Sequence, residues 1–136
     1  MRSQHPLNDD EIILKRISPR KDNIKPKGGS GFRATSWAIQ PRPGEEHSSW
    51  SQQSITPAKQ LLEIEAAKGQ NMSDWSVDSL TIGAVRALEL DVVQAPTQED
   101  PGHCLIVPTG EQPFTPKIWS KLAKKTSIIY TAPEAL

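Results

Sequence analysis

One stretch of this chain, residues 75–107, constrains its fold more than any other. It holds the densest apolar runs in the sequence, divided by short turn-forming segments. Trp75 to Leu80 and Leu90 to Gln94 have the composition of strands, and Thr81 between them is placed to cap a short helix. A third strand, His103 to Val107, follows a loop of turn-forming residues. We therefore expect this stretch to form the interior of the sheet of an α+β domain.

The chain has 136 residues, enough for one domain with a core of its own. Hydrophobic residues make up 35% and there are 12 prolines, which predicts a modest core with extended connections. We expect a single domain over residues 1–136, with flexible tails at 1–8 and 132–136. The single cysteine excludes an internal disulfide. No apolar run approaches about 20 residues and no secretory signal is visible, so we expect a cytoplasmic protein without membrane contact.

Two segments combine a threonine with a proline, the signature of a helix start. Thr56-Pro57 and Thr115-Pro116 predict helices over residues 57–68 and 116–125. We expect both helices on one face of a mixed sheet of five or six strands. The predicted core comprises Ile13, Leu61, Leu62, Val77, Leu80, Val85, Leu88, Val93, Leu105, Ile106, Trp119, Leu122 and Ile129.

Outside the central stretch, residues 12–17, 32–40 and 127–131 also have strand character. Residues 45–51 are polar and predict a surface loop, in which Trp50 either reaches the core or borders a pocket. Residues 20–31 form a basic loop rich in Gly and Pro. Consecutive glycines are able to cradle a phosphate, but the spacing of a P-loop is absent, which favours a mobile connection.

Charge is distributed unevenly along a chain that is neutral overall. Residues 1–44 contain nine Lys/Arg and four Asp/Glu, a net charge of +5. Residues 45–112 have a net charge of −8, and residues 113–136 one of +3. The basic ends either fold back on the acidic middle or form a face for nucleic acid or another acidic partner. The neutral total favours the first interpretation.

His103 is the first candidate for chemistry, because it begins a strand after the Asp-Pro-Gly turn and its imidazole exchanges protons near neutral pH. The structural alternative is a ring hydrogen-bonded to Asp100 or to a backbone carbonyl. Cys104 follows directly and therefore points to the opposite face of the strand, where burial would disfavour its thiolate. Arg16 lies within an apolar strand, either as a paired arginine or as an anchor for a phosphate or carboxylate.

No metal or cofactor is expected. The three histidines and one cysteine show none of the usual ligand spacings. A site assembled by the fold from His47, His103 and an acid is the one alternative.

Arg16, Ser36 and an acid at Glu45 or Glu46 occur in the order of the Arg–Ser–Glu set that ADP-ribosyltransferases use. The resemblance implies an arginine that holds a dinucleotide, a serine that braces the site and a glutamate that stabilises a sugar cation. The three positions lie closer together in this sequence than in that family.

Three further segments, Leu14 to Ile17, Arg86 to Val92 and Asp100 to His103, resemble segments of small uncharacterised bacterial proteins. That group has no assigned activity, so the resemblance implies a shared fold and no particular chemistry.

Two hypotheses of function remain open. The first is an accessory module that binds a protein partner and is encoded in a bacterial defence or toxin–antitoxin operon, with Trp37, Trp50 and Arg33 at the interface. The second is a small enzyme acting on a nucleotide or nucleic acid. It would use Arg16, Ser36 and His103, which would have to converge on one cleft.

Overall fold

The structure is a computed structural model, and it describes residues 7–27, 31–41, 45, 47–110 and 115–131. Residues 1–6 of the predicted tail at 1–8, the predicted tail at 132–136 and residues 28–30 of the basic loop lie outside this range. The described chain forms a single α+β domain, as the sequence predicted. No helix within it combines the length and the apolar character needed to cross a membrane.

Eight strands and four α-helices make up the described fold. The strands are β1 Ile12–Ile17, β2 Ile24–Pro26, β3 Phe32–Ala34, β4 Ser48–Gln52, β5 Ser76–Thr81, β6 Leu90–Gln94, β7 His103–Pro108 and β8 Ser127–Thr131. The helices are α1 Ser36–Ile39, α2 Ala58–Ala66, α3 Ile82–Arg86 and α4 Pro116–Ala123. A short 3-10 helix, Lys21–Asn23, precedes β2.

Six strands form the main sheet in the order β6-β7-β4-β1-β5-β8, and β2 and β3 form a separate pair. Every neighbouring pair is antiparallel. The sheet is therefore antiparallel throughout and not the mixed sheet that we expected. The reason is the position of β1. The chain from β4 through α2 to β5 makes a crossover between two strands of the same direction, and β1 lies between them and runs opposite to both.

The two main helices lie on opposite faces of the sheet, not on the one face expected. Neighbouring residues of a strand point to opposite faces. Ile13 belongs to the larger core cluster together with Trp119 of α4, whereas Leu14 belongs to a smaller cluster with Leu61 of α2. Residue 13 therefore faces α4 and residue 14 faces α2, and the central strand β1 has apolar contacts on both sides.

Most of the predicted core is buried, with two exceptions at the edges of the sheet. Val93 is 42% exposed on β6 and Ile129 is 46% exposed on β8. The assignment of both residues to the core was wrong, because in the described chain each edge strand has an outward face that no helix covers. Leu88 and Leu105 are half-buried. The remaining members are buried: Ile13, Leu61, Leu62, Val77, Leu80, Val85, Ile106, Trp119 and Leu122.

Two segments adopt a different structure from the one predicted. Residues 32–40 form the short strand β3 and then one turn of helix, because their alternation also fits a turn that buries Ile39 and exposes Trp37. Residues 45–51 were expected as a loop, but Ser48–Gln52 is the central strand β4. Its polarity hides this role, since Ser48 is buried and its hydroxyl donates to the Ile39 carbonyl.

Two of the three predicted threonine caps are confirmed. The Thr81 hydroxyl accepts from the Ala84 N–H at the start of α3, and the Thr115 hydroxyl accepts from the Ile118 N–H at the start of α4. At α2 the capping residue is Pro57, and the Thr56 side chain makes no capping hydrogen bond. Thr56 is fully buried and its hydroxyl donates instead to the Asp100 carboxylate.

Candidate binding cavity

A cavity of about 750 Å³ lies where β1 and β4 separate. The pairing of these two strands ends at Leu14–Ser51, although β1 continues to Ile17. Lys15 and Arg16 line the cavity from β1, and Ser49 lines it from β4. A cavity of this size falls within the range of sites that bind small ligands or anchoring side chains. The break between two central strands therefore positions the candidate site.

Three tryptophans line the cavity, and they differ in exposure. Trp37, on the single turn of α1, is 65% exposed, and Trp75, just before β5, is half-buried. Trp50 on β4 is only 1% exposed, and its Nε1–H donates to the Ser48 hydroxyl at 2.7 Å. Trp50 therefore lacks the exposure of an interface anchor, because its position on a central strand turns the indole into the core, which agrees with the prediction that it reaches the core. Trp37 retains the exposure that an interface anchor requires.

Lys15 spans the break between the two strands. Its Nζ donates to the Ser49 carbonyl at 2.9 Å, across a distance of 34 residues in sequence. The same ammonium lies 5.8 Å from the centroid of the Trp50 ring, within the range of a cation–π contact. The side chain thus connects β1 to β4 where the regular pairing of their backbones has stopped.

Arg16 is held by α2. Its Nη1–H donates to the Leu61 carbonyl at 3.0 Å, and its Nη2 lies 3.3 Å from Glu65. Glu65 also contacts Lys68, which in turn pairs with Glu99. The guanidinium is therefore engaged by a helix carbonyl and a carboxylate, which agrees with the interpretation of a paired arginine.

Asp100 is the most highly connected acid in the site. Its carboxylate is buried and accepts hydrogen bonds from the Ser51 hydroxyl, from the Thr56 hydroxyl at 2.6 Å and from the Gly102 N–H at 3.0 Å. Hydrogen bonds to a charged group are stronger than neutral ones. Three donors from separate segments therefore join the β6–β7 turn to β4 and to the start of α2.

Gly102 permits this close approach. A Cβ at this position would lie 2.7 Å from the Thr56 hydroxyl oxygen and 3.1 Å from the Cβ of Ile55. Both distances are shorter than ordinary contacts, so a larger residue would push the turn away from the segment that precedes α2. The glycine of the Asp-Pro-Gly turn is thus required by packing.

His103 lines the cavity at the start of β7, directly opposite Ser51 of β4. Its Nδ1–H donates to the Ala95 carbonyl at 2.9 Å. A carbonyl only accepts, so the neutral ring carries its proton on Nδ1 and presents Nε2 as an acceptor. This agrees with the structural alternative of a ring bonded to a backbone carbonyl, and it leaves one nitrogen suited to accept a proton or a hydrogen bond.

Cys104 takes no part in the cavity. It is fully buried on the opposite face of β7, where burial, with a smaller contribution from the charge of Asp100, raises the pKa of the thiol to about 12. A thiol with such a pKa is a poor nucleophile at neutral pH.

The predicted site residues are only partly brought together. Arg16, His103 and Trp37 line the cavity, whereas Ser36 and Arg33 are not among its lining residues within the described chain. Ser36 begins α1, and the Arg33 guanidinium donates to the adjacent Ala34 carbonyl. Within the described chain, the serine of the ADP-ribosyltransferase-like set therefore does not line the cavity together with its arginine. Of the two candidate acids, Glu45 lines the cavity and Glu46 lies outside the described residues.

Sequence reasoning missed several residues that build the cavity. Lys15 and Ser49 were not singled out, because nothing local shows that their two strands separate. Thr56 was assigned to a helix cap, because a threonine before a proline fits that role as well as it fits the observed hydrogen bond to Asp100. The Asp-Pro-Gly turn was recognised in the sequence. The acid of that turn needs hydrogen-bond donors when it is buried, and this need was the signal that could have led to Ser51.

In the described part of the chain, no group of three or more His, Cys, Asp or Glu side chains is arranged to hold a metal ion. Comparison of the chain with protein-family models, with curated proteins and with solved structures gives no match in any of the three.

Proposed function

We propose that this protein is an accessory module that binds a protein partner, and that the cavity between β1 and β4 receives part of that partner. The observation that carries the proposal is Trp37, whose indole is 65% exposed while lining a cavity of about 750 Å³. Tryptophan is enriched among the residues that dominate binding energy at interfaces. An exposed indole beside a concave surface is suited to that role.

The rest of the lining supports a partner with both apolar and polar groups. Trp75 and Leu61 offer apolar surface on the α2 side, and Ser49 and His103 offer polar atoms. Lys15 and Arg20 are opposed by Glu45, so the lining has charges of both signs. A nucleic-acid partner is less well supported, because binding to phosphates requires a predominantly basic surface.

An enzymatic function has weaker support. Ser36 does not line the cavity with Arg16 and His103, and the Arg16 guanidinium is occupied by Leu61 and Glu65. The Ser51 hydroxyl, although it faces His103, donates to Asp100. A serine nucleophile needs a base that accepts its proton as it attacks. The single hydroxyl proton of Ser51 is directed to Asp100, so it is not paired with His103 Nε2, although that nitrogen is able to accept.

A cytoplasmic location and a place in a bacterial defence or toxin–antitoxin operon belong to the same proposal. Their support is the resemblance of three sequence segments to small bacterial proteins and the use of a single, buried cysteine.

The proposal is tested by placing a photo-crosslinking amino acid at position 37 of the full chain and irradiating it in cells of the native host. The crosslinked protein is identified, purified and titrated against the wild-type chain by calorimetry. We expect Trp37→Ala to weaken this binding at least about tenfold, as removal of an interface anchor does. Ile129→Ala, which removes an exposed side chain on the far edge of the sheet, is the matched control and should bind as the wild type does.

Equal affinity of the Trp37→Ala and wild-type chains for the purified partner would overturn the proposal. So would an equal loss of affinity in Ile129→Ala, since the binding would then not depend on the cavity.

A further inference from the structure

The backbone hydrogen bonds show which groups face the break between β1 and β4. The Gln53 N–H donates to the Ile12 carbonyl at 2.9 Å, so residue 12 directs its backbone groups toward β4. In antiparallel pairs, alternate residues direct N–H and C=O to the same side. Residues 14 and 16 therefore also direct their backbone groups toward β4.

The backbone groups of β4 alternate in the same way. The Gln52 N–H donates to the Gly102 carbonyl at 2.8 Å, so even-numbered residues of β4 face β7. Ser49 and Ser51 consequently direct their backbone groups toward β1. The hydrogen bond from Lys15 Nζ to the Ser49 carbonyl agrees with this assignment.

The next pair of a regular ladder would join Ser49 to Arg16, but the pairing has already ended at Leu14–Ser51. In its place, the Lys15 ammonium donates to the Ser49 carbonyl. A side-chain donor thus occupies an acceptor that a neighbouring strand would normally satisfy. The cavity lies at this position and is lined by Lys15, Arg16 and Ser49.

We infer that the partner enters the cavity as an extended polypeptide segment, whose backbone pairs with Ser49 of β4 and replaces the hydrogen bond from Lys15. This inference rests on the proposed function and specifies the chemistry of the partner. Addition of a strand to an open backbone edge is an established mode of peptide recognition, in which main-chain hydrogen bonds supply affinity and side-chain pockets supply specificity.

The probe is a phage-displayed library of random twelve-residue peptides, selected on the full chain and counter-selected on Trp37→Ala. Each selected peptide is synthesised with single backbone N-methyl groups at successive positions, and its affinity is measured by fluorescence anisotropy. N-methylation removes one backbone donor and leaves the side chains unchanged. We expect one position to lose at least about tenfold in affinity and its two neighbours to lose less than about twofold.

The outcomes separate the two proposals. Peptides that require Trp37 but tolerate N-methylation at every position would overturn the strand pairing and leave the cavity as a binding site. Failure to select any peptide that distinguishes the wild-type chain from Trp37→Ala would overturn the proposed function itself.

Discussion

The two edges of β1 belong to the same six-residue strand, yet they pair with their neighbouring strands to very different extents. Toward β5 the pairing is continuous from Ile12–Thr81 to Ile17–Ser76. Toward β4 it covers only two pairs, the last of them Leu14–Ser51, and the cavity begins there. The pattern within β1 cannot explain this difference, so its cause lies in the neighbouring strands.

The neighbouring strands are held in different ways. β5 contributes Leu80 to the larger core cluster and Val77 to the cluster under α2, so it is packed on both faces beside β1. β4 is paired with β7 over four residues, from Ser48–Ile106 to Ser51–His103, and Asp100 joins it to the β6–β7 turn. β4 therefore stays paired with β7 and diverges from β1. The divergence of these two central strands creates the cavity within the sheet.

The largest predicted effect concerns Asp100, which holds β4 on the edge of β1 where the strand pairing stops (the open edge). Asp100→Ala would leave the hydroxyls of Ser51 and Thr56 and the Gly102 N–H without their acceptor. Each buried unsatisfied group costs about 1–3 kcal/mol, so we expect the free energy of unfolding to fall by about 4 kcal/mol. Urea denaturation measures it, with Glu63→Ala on the exposed surface of α2 as the control. A loss below about 1 kcal/mol would show that β4 is not held by this carboxylate.

The next effect concerns Asp78 of β5, on the edge of β1 where the strand pairing is continuous (the closed edge). Asp78 lies opposite Lys15 in the β1–β5 ladder. It is fully buried, and neither carboxylate oxygen makes a hydrogen bond of standard geometry. Burial raises its pKa from 3.8 to about 7, although the nearby Thr126 hydroxyl and the charge of Lys27 oppose the change. The closed edge thus contains a carboxyl group that is neutral in mildly acidic solution.

The sign of the pH dependence follows from this raised pKa. Between pH 3.8 and about 7 the folded protein keeps a proton that the unfolded chain has lost, so the contribution of Asp78 to stability falls as pH rises through this window. Asp78→Asn removes the contribution. We expect its stability relative to the wild type to rise by about 3–4 kcal/mol from pH 4 to pH 8. Thermal or urea unfolding of both chains at each pH measures the difference, and a constant difference would contradict the prediction.

The smallest effect concerns Arg16, which connects the open edge of β1 to α2. Arg16→Met removes a hydrogen bond to the Leu61 carbonyl and a partly exposed ion pair with Glu65. Exposed pairs contribute little, and methionine keeps much of the apolar stem, so we expect a loss below about 1 kcal/mol. Lys117→Met on the exposed side of α4 is the matched control for urea denaturation. A loss above about 2 kcal/mol would show that Arg16 holds the helix in place.

Much of the local structure was predictable, because it depends on residues close together in sequence. The strand at 12–17 and the caps at Thr81 and Thr115 were recognised from β-branched runs and from threonines that precede helices. β4 was missed because its serines and glutamine look like a loop. Their hydroxyl and amide groups find partners only in the folded protein, where Ser48 donates to Ile39 and Ser51 to Asp100.

The site was less predictable than the fold. His103 and Arg16 were selected for their chemistry and do line the cavity, but Ser36 was placed with them on sequence order alone. Trp50 has the more polar surroundings in sequence, yet it lies on a central strand and is buried, whereas Trp37 lies on a single helical turn and is exposed. Exposure of a side chain in such segments depends on the neighbouring strands, which the local pattern does not identify.

By itself, the sequence determined the α+β class and most of the strands and helices, since periodicity and turn chemistry act over a few residues. The tertiary structure decided the order of the strands, the placement of α2 and α4 on opposite faces and the break beyond Leu14–Ser51. These features depend on competition between partners far apart in the chain. β4 pairs more extensively with β7 than with β1, and only the folded protein shows the outcome.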